Sequence, residues 1–292
     1  MKISEIYKEK QGMGSAKKML SFEIFPPKKD SELKNIDATL EVLCELRPDF
    51  ISVTFGAGGS VGCNRTIELA KKIKQRYHVE PVVHLTCLHY DRQEMDEFAK
   101  VLAEEGIQNV LALRGDKNPN ASEKKDFKHA SDLIGYLKPK SEFCFLGACY
   151  PECHPESEDR ISEIKYLKEK VSAGAEILLS QLFFDNTLFY RFLEDCRIAD
   201  IHVPVIPGIM PVINASQIKR MVTLCGASFP ERFQKIIHKY EDNKEALFDA
   251  GMAYALSQVI DLLVNDTQGI HLYTMNNPVV ARRICEGVRN II

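Results

Sequence analysis

The stretch SFEIFPP, Ser21 to Pro27, sets Glu23 among Phe22, Ile24 and Phe25. A carboxyl in such surroundings is either an acid–base group or one half of a buried ion pair, and the stretch alone leaves both open. Further along, PVVHLTC carries His84 and Thr86, NVLALRG runs out into Arg114, Gly115 and Asp116, and EILLSQLFF holds Gln181 among leucines and phenylalanines. Taken singly, His84 and Thr86 read as satisfied core residues, and Arg114 with Asp116 reads equally well as a local salt bridge or as functional groups. The run GAGGSVG (56–62) lacks G-x-G-x-x-G spacing and reads as a flexible turn. Cys149, Cys153 and His154 in GACYPECHPE are close enough to suggest metal, but no second matching pair follows, so metal is the minor reading.

The elements that must carry these residues recur with a fixed beat. Eight apolar, β-branched runs begin at LSFEIF (20–25), FISVTF (50–55), PVVHLTC (81–87), NVLALRG (109–115), FCFLGACY (143–150), EILLSQLFF (176–184), VPVIPGI (203–209) and IHLYTM (270–275). Most are about 30 residues apart, the spacing of a repeated strand, loop, helix and loop. Amphipathic segments fill the gaps, among them Thr66 to Tyr77, Ser216 to Cys225 and Val279 to Arg289. The pattern predicts an α/β fold, a (β/α)8 TIM barrel, with extra helices between strands seven and eight around Glu231 to His238 and Lys244 to Val264. An open doubly wound sheet is the alternative. Residues 1–18 read as a charged N-terminal segment and residues 19–292 as a single (β/α)8 catalytic domain.

In such a barrel the alternate positions Leu20, Phe22 and Ile24 face the helices, which turns Ser21 and Glu23 toward the axis. The same alternation sends Ser52, Thr54, His84 and Thr86 inward. These polar groups gather toward the carboxyl ends of the strands, where barrel enzymes build their sites. Their coincidence at one end argues for function more strongly than any of them does alone.

Composition narrows the partners. Of 292 residues, 45% are hydrophobic and 27% charged, and the net charge of −3 offers no basic excess for a phosphate backbone, so nucleic acid is not expected. No run approaches 18 consecutive apolar residues and the first 18 residues lack a signal-like segment, so neither a membrane span nor secretion is expected. Nine scattered cysteines fit reduced thiols, and the expectation is a cytoplasmic protein.

In order, SFEIFPP, the strand ending VTFGAGG, HLTC, ALRGD, HASDL, YPECHPE, KVSAGAEILLSQLFFD, IPGIMPV and HLYTMN resemble the methylenetetrahydrofolate reductase family, from about residue 19 to 288. The resemblance implies a short bacterial-type enzyme made of the catalytic barrel. It also implies FAD passing a hydride from NADH or NADPH to 5,10-methylenetetrahydrofolate in ping-pong fashion, a folate substrate, and a homo-oligomer. It makes Glu23 the general acid that opens the folate's five-membered ring to an iminium cation. Asp116 becomes a charge beside flavin and pterin, worth roughly 3 kcal/mol at about 6 Å and an effective dielectric of about 20.

By the same resemblance Phe55, Ala57, His84, Arg114, Gly115, Asp116, Ala130, Tyr150, His154, Ser157 and Lys170 match flavin-binding positions, with Arg114, His154 and Lys170 suited to a pyrophosphate. Thr54 falls where the family contacts the nicotinamide. Gln181 matches the residue shared by pterin and nicotinamide, and Gln217 one that meets folate. The chain departs from the pattern at His129, where a tyrosine often lies against the flavin, and at Leu182 and Met221, where phenylalanines are usual. Asn277 stands in place of an arginine that helps hold the folate tail. Two other readings stay open: a flavoprotein subunit fed electrons by a partner protein, and a metal-dependent barrel hydrolase or lyase using His84, His89, Asp116 and Cys153.

Overall fold

The computed structural model describes residues 1–12, 17–27, 29, 32–55, 59–117, 123–214, 217 and 226–292. Among the described residues nine parallel strands form one sheet: β1 Met19–Ile24, β2 Phe50–Val53, β3 Glu80–Thr86, β4 Asn109–Leu113, β5 Cys144–Cys149, β6 Ala175–Ser180, β7 Val205–Ile206, β8 Gly208–Ile209 and β9 Gly269–Tyr273. Their order, β7-β6-β5-β4-β3-β2-β1-β9-β8, is that of an α/β TIM barrel whose expected seventh strand is split in two. Pro207 causes the split: it has no N–H for the ladder. Its carbonyl still accepts from the His271 N–H at 2.9 Å.

The split strand joins the two edges of the sheet. β7 pairs with β6, and β8 with β9. At this junction the Gly208 N–H donates to Ser180 Oγ at 2.8 Å, and the Tyr273 hydroxyl donates to the Ser180 carbonyl at 2.7 Å. A Cβ on residue 208 would lie 2.3 Å from that carbonyl, so only glycine fits.

The surrounding helices are α1 Ile3–Gly12, α2 Leu33–Glu45, α3 Gly59–Tyr77, α4 Arg92–Glu104, α5 Ala130–Leu137, α6 Arg160–Ala173, α7 Asn186–Ile198, α8 Glu231–Tyr240, α9 Lys244–Val264 and α10 Pro278–Val288. Short side chains open many of them, as orphan N–H groups demand. Asp91 forms a capping box with Glu94 at α4, while Asp159, Asp185 and Asn243 cap α6, α7 and α9. α8 and α9 are the two extra helices expected between strands seven and eight. α3 begins at Gly59 and not at Thr66, so the second half of GAGGSVG is helix where a turn was expected. Of the helix expected over Ser216 to Cys225, only Gln217 is among the described residues.

Alternation along the strands separates two cores. Leu20, Phe22, Ile24, Ile51, Val53, Val83 and Leu85 pack outward with the helices, and Met19, Phe50, Val82, Leu111, Leu146, Ile177 and Leu179 fill the lumen. The lumen is plugged from below by α1, whose Ile3 is fully buried. Asn109, at the start of β4, fixes the plug: its Oδ1 accepts from the Ile3 N–H at 2.8 Å and its Nδ2 donates to the Met1 carbonyl at 3.1 Å. Above the opposite end, Leu182, Phe184, Met210, Val212 and Phe233 form a third cluster with Tyr254. By length and composition α9 could cross a bilayer; in the fold it buries Leu247, Met252, Ala255, Val259, Leu262 and Leu263.

Candidate active site

Glu23 lies at the carboxyl end of β1 and is held there by the chain's last strand. Thr274 Oγ1 donates to the Glu23 carbonyl at 2.8 Å. Asn276 clamps the next residue but one, its Oδ1 accepting from the Phe25 N–H at 2.8 Å and its Nδ2 donating to the Phe25 carbonyl at 2.9 Å. The glutamate is 8% exposed, with Oε2 3.5 Å from Nε2 of the equally buried His84. Burial pushes the Glu23 carboxyl up to about 8 and pulls the His84 imidazole down to about 3. Both shifts favour the uncharged forms, a protonated carboxyl and a neutral imidazole.

Beneath this pair sits His271, a residue the sequence reading did not single out. Its Nδ1 is 2.8 Å from Ser21 Oγ, and its ring stacks on Phe50. Burial first, and neighbouring His84 second, bring it down to about 3. Ser52 Oγ, His84 Nε2 and His271 Nε2 are buried without a hydrogen-bond partner among the described residues. Unsatisfied groups of this kind, gathered toward one mouth, mark a place made to meet something polar. The inward-facing test would have found His271, because Gly269, His271 and Tyr273 alternate with the outward Ile270 and Leu272.

Around β4 and β5 the groups are ionic. Gly115 has φ +89°, which re-aims the chain between Arg114 and Asp116. Asp116 is exposed, and its carbonyl lies 3.0 Å from His89 Nε2. The Arg114 guanidinium is taken by Glu156 in a two-pronged contact of 2.6 and 3.1 Å. This pairing holds the Glu156 carboxyl down at about 2. Of the two readings open for Arg114 and Asp116, the salt bridge is made by Arg114 with Glu156 instead, a partner beyond the reach of a strand-end pattern. His154 donates its N–H to Glu163, which Ser157 also meets through its hydroxyl. Tyr150 packs edge-on against His154 at 4.8 Å, and burial raises its phenol. Lys170 is lowered by burial, and its Nζ donates to the Ala148 carbonyl.

The remaining candidates are more scattered. Thr54 is half-buried beyond β2, its N–H bonded to the Ile24 carbonyl at 3.0 Å. Phe55 points into an aromatic cluster with Tyr90 and Phe98. His129 is exposed at the start of α5 and stacks on Tyr166, and Ala130 beside it is buried. Gln181 Oε1 accepts from the Leu182 N–H at 2.8 Å, and Gln217 is half-buried. Asn277 spends its side-chain oxygen on capping α10, accepting from the Val279 N–H at 3.1 Å. Ala57 and Met221 lie outside the described residues. Among the described residues no three His, Cys, Asp or Glu side chains converge as metal ligands.

The family model described as methylenetetrahydrofolate reductase matches residues 8–289. The 5,10-methylenetetrahydrofolate reductase of Escherichia coli (strain K12) is 34% identical over 272 residues, 92% of this chain and 91% of that one. Methylenetetrahydrofolate reductase (NADH) 1 of Arabidopsis thaliana is 35% identical over 272 residues, 88% of this chain and 46% of its own length. The chain thus spans about half the length of such plant relatives. An uncharacterized protein from Clostridium thermocellum, described as binding two copies of 5-methyl-5,6,7,8-tetrahydrofolic acid, shares the fold at a TM-score of 0.61 and 13% identity, with 93% of this chain and 96% of that one covered.

Proposed function

Since the chain belongs to the methylenetetrahydrofolate reductase family, we propose that it reduces 5,10-methylenetetrahydrofolate to 5-methyltetrahydrofolate, with NADH or NADPH as donor and FAD as carrier. The observation that carries this reading is Glu23, a buried carboxyl raised to about 8 at the barrel mouth. The methylene bridge accepts a hydride only after its ring opens, which needs a proton delivered to the departing nitrogen. Glu23, protonated near neutral pH, delivers it and leaves an iminium cation on the folate. Asp116, beyond the carboxyl end of β4, would offer the cation a negative charge.

The residues present fit a flavin dinucleotide. Arg114, His154 and Lys170 would hold its pyrophosphate, and His84 Nε2, buried without a hydrogen-bond partner among the described residues, would be open to a polar atom of its ring. Flavin, when bound, would supply a hydride to the iminium carbon. Gln181 and Thr54 would seat the nicotinamide, and Gln181, Gln217 and Asn277 the folate, so donor and acceptor would take turns at one place. The folate-binding description of the Clostridium thermocellum protein agrees with this substrate class. The test is an absorption spectrum of the purified protein followed by anaerobic mixing with NADH. A yellow protein bleached rapidly by NADH and reoxidised by methylenetetrahydrofolate is expected. A colourless protein would overturn the reading, and a yellow one that NADH cannot bleach would move the electron source to a partner protein.

A further inference from the structure

Glu156 was not singled out by its sequence context, yet it engages two of the three side chains suited to a pyrophosphate. Its carboxylate takes the Arg114 fork with both oxygens, at 2.6 and 3.1 Å, and its backbone N–H donates to His154 Nδ1 at 3.0 Å. Lys117 Nζ stands 3.8 Å from the same carboxylate. A carboxylate and a pair of phosphate oxygens present matching acceptors to a guanidinium, so the two compete for one seat.

The two partners are not equally free to move. The Arg114 side chain is 24% exposed and is further tied by its Nε to the Gly115 carbonyl at 3.2 Å. Glu156 is 46% exposed, on the loop between β5 and α6. If the pair separates, the glutamate swings into water and the arginine stays.

We infer that Glu156 is an internal competitor for the phosphate seat at Arg114, which an incoming dinucleotide must displace and which therefore lowers the affinity for it. The inference rests on the flavin reading given above. Half-exposed ion pairs are weak, so removing the carboxylate should tighten binding by about twofold to fivefold.

The test compares the flavin-free protein with its Glu156→Gln variant using two probes: FAD, followed by quenching of flavin fluorescence, and inorganic pyrophosphate, followed by titration calorimetry. Both should bind about twofold to fivefold tighter to the variant, and the gain should vanish when Arg114→Gln is added. Equal or weaker binding to Glu156→Gln would overturn the inference, because it would mean that the glutamate is neutral toward the ligand or holds Arg114 in place for it. If neither protein takes up FAD, the flavin reading fails while the pyrophosphate result still decides the role of Glu156. Absence of binding by both probes overturns both.

Discussion

Replacing Glu23 by glutamine keeps the shape of the side chain and removes its proton. In the wild-type protein the carboxyl is moved from 4.5 to about 8 by burial alone. At pH 7 about nine in ten molecules then carry the proton, against about one in 300 for an unshifted group. General acid catalysis is worth about 10²- to 10⁴-fold, so Glu23→Gln should lose methylenetetrahydrofolate reduction by that factor while its flavin is still reduced by NADH. The wild-type rate should be full below pH 8 and fall as pH rises through it; the residual rate of the variant should show no such limb.

The same shift gives a second readout, independent of turnover. A carboxyl whose folded pKa exceeds its unfolded one contributes stability that is complete below about 4.5 and is lost as pH rises through about 8. Between pH 7 and 9 the wild type should therefore lose about 1.4 kcal/mol relative to Glu23→Gln, measured by urea unfolding. A variant with wild-type folate reduction, or one with the same alkaline limb, would refute the reasoning.

Asp116→Asn should slow folate reduction more than flavin reduction, by about threefold to tenfold in stopped-flow half-reactions. The hundredfold that a low dielectric would allow does not apply to a side chain this exposed. His84 and His271, both down at about 3, bind fewer protons folded than unfolded, so their contribution is complete above about 6.5 and is lost as pH falls through about 3. Acid unfolding followed by circular dichroism should accordingly move to lower pH in His271→Gln. Asn276→Ala breaks both bonds to the Phe25 backbone and should cost about 1–3 kcal/mol in denaturant unfolding. Ile3→Ala should cost about 2–5 kcal/mol in the same assay, since Ile3 is fully buried in the plug below the lumen.

The barrel was legible because buried parallel strands advertise themselves as apolar runs, and alternation within each run told Leu20, Phe22 and Ile24 from Ser21 and Glu23. The same alternation turned Glu23 inward, where the neighbour it meets is His84 of β3, 61 positions away in the chain. It did not reach the split of strand seven, because VPVIPGI reads as one apolar run and only the competing demands of β6 and β9 divide it at Pro207. Nor did it reach α1, where charged residues on the outer face conceal Ile3. The ties of Arg114 to Glu156 and of Phe25 to Asn276 join residues 42 and 251 positions apart, and no local pattern carries such information.

The junction at residues 205–209 has a mechanical corollary. Two registered residue pairs hold β6 to β7 and two hold β8 to β9, whereas five hold β3 to β4. A hoop parts at its thinnest weld, so amide exchange at Ile206 and Ile209 should outpace that at Val83 or Leu111. Ser180 and Tyr273 then act as the rivets that keep the rim round.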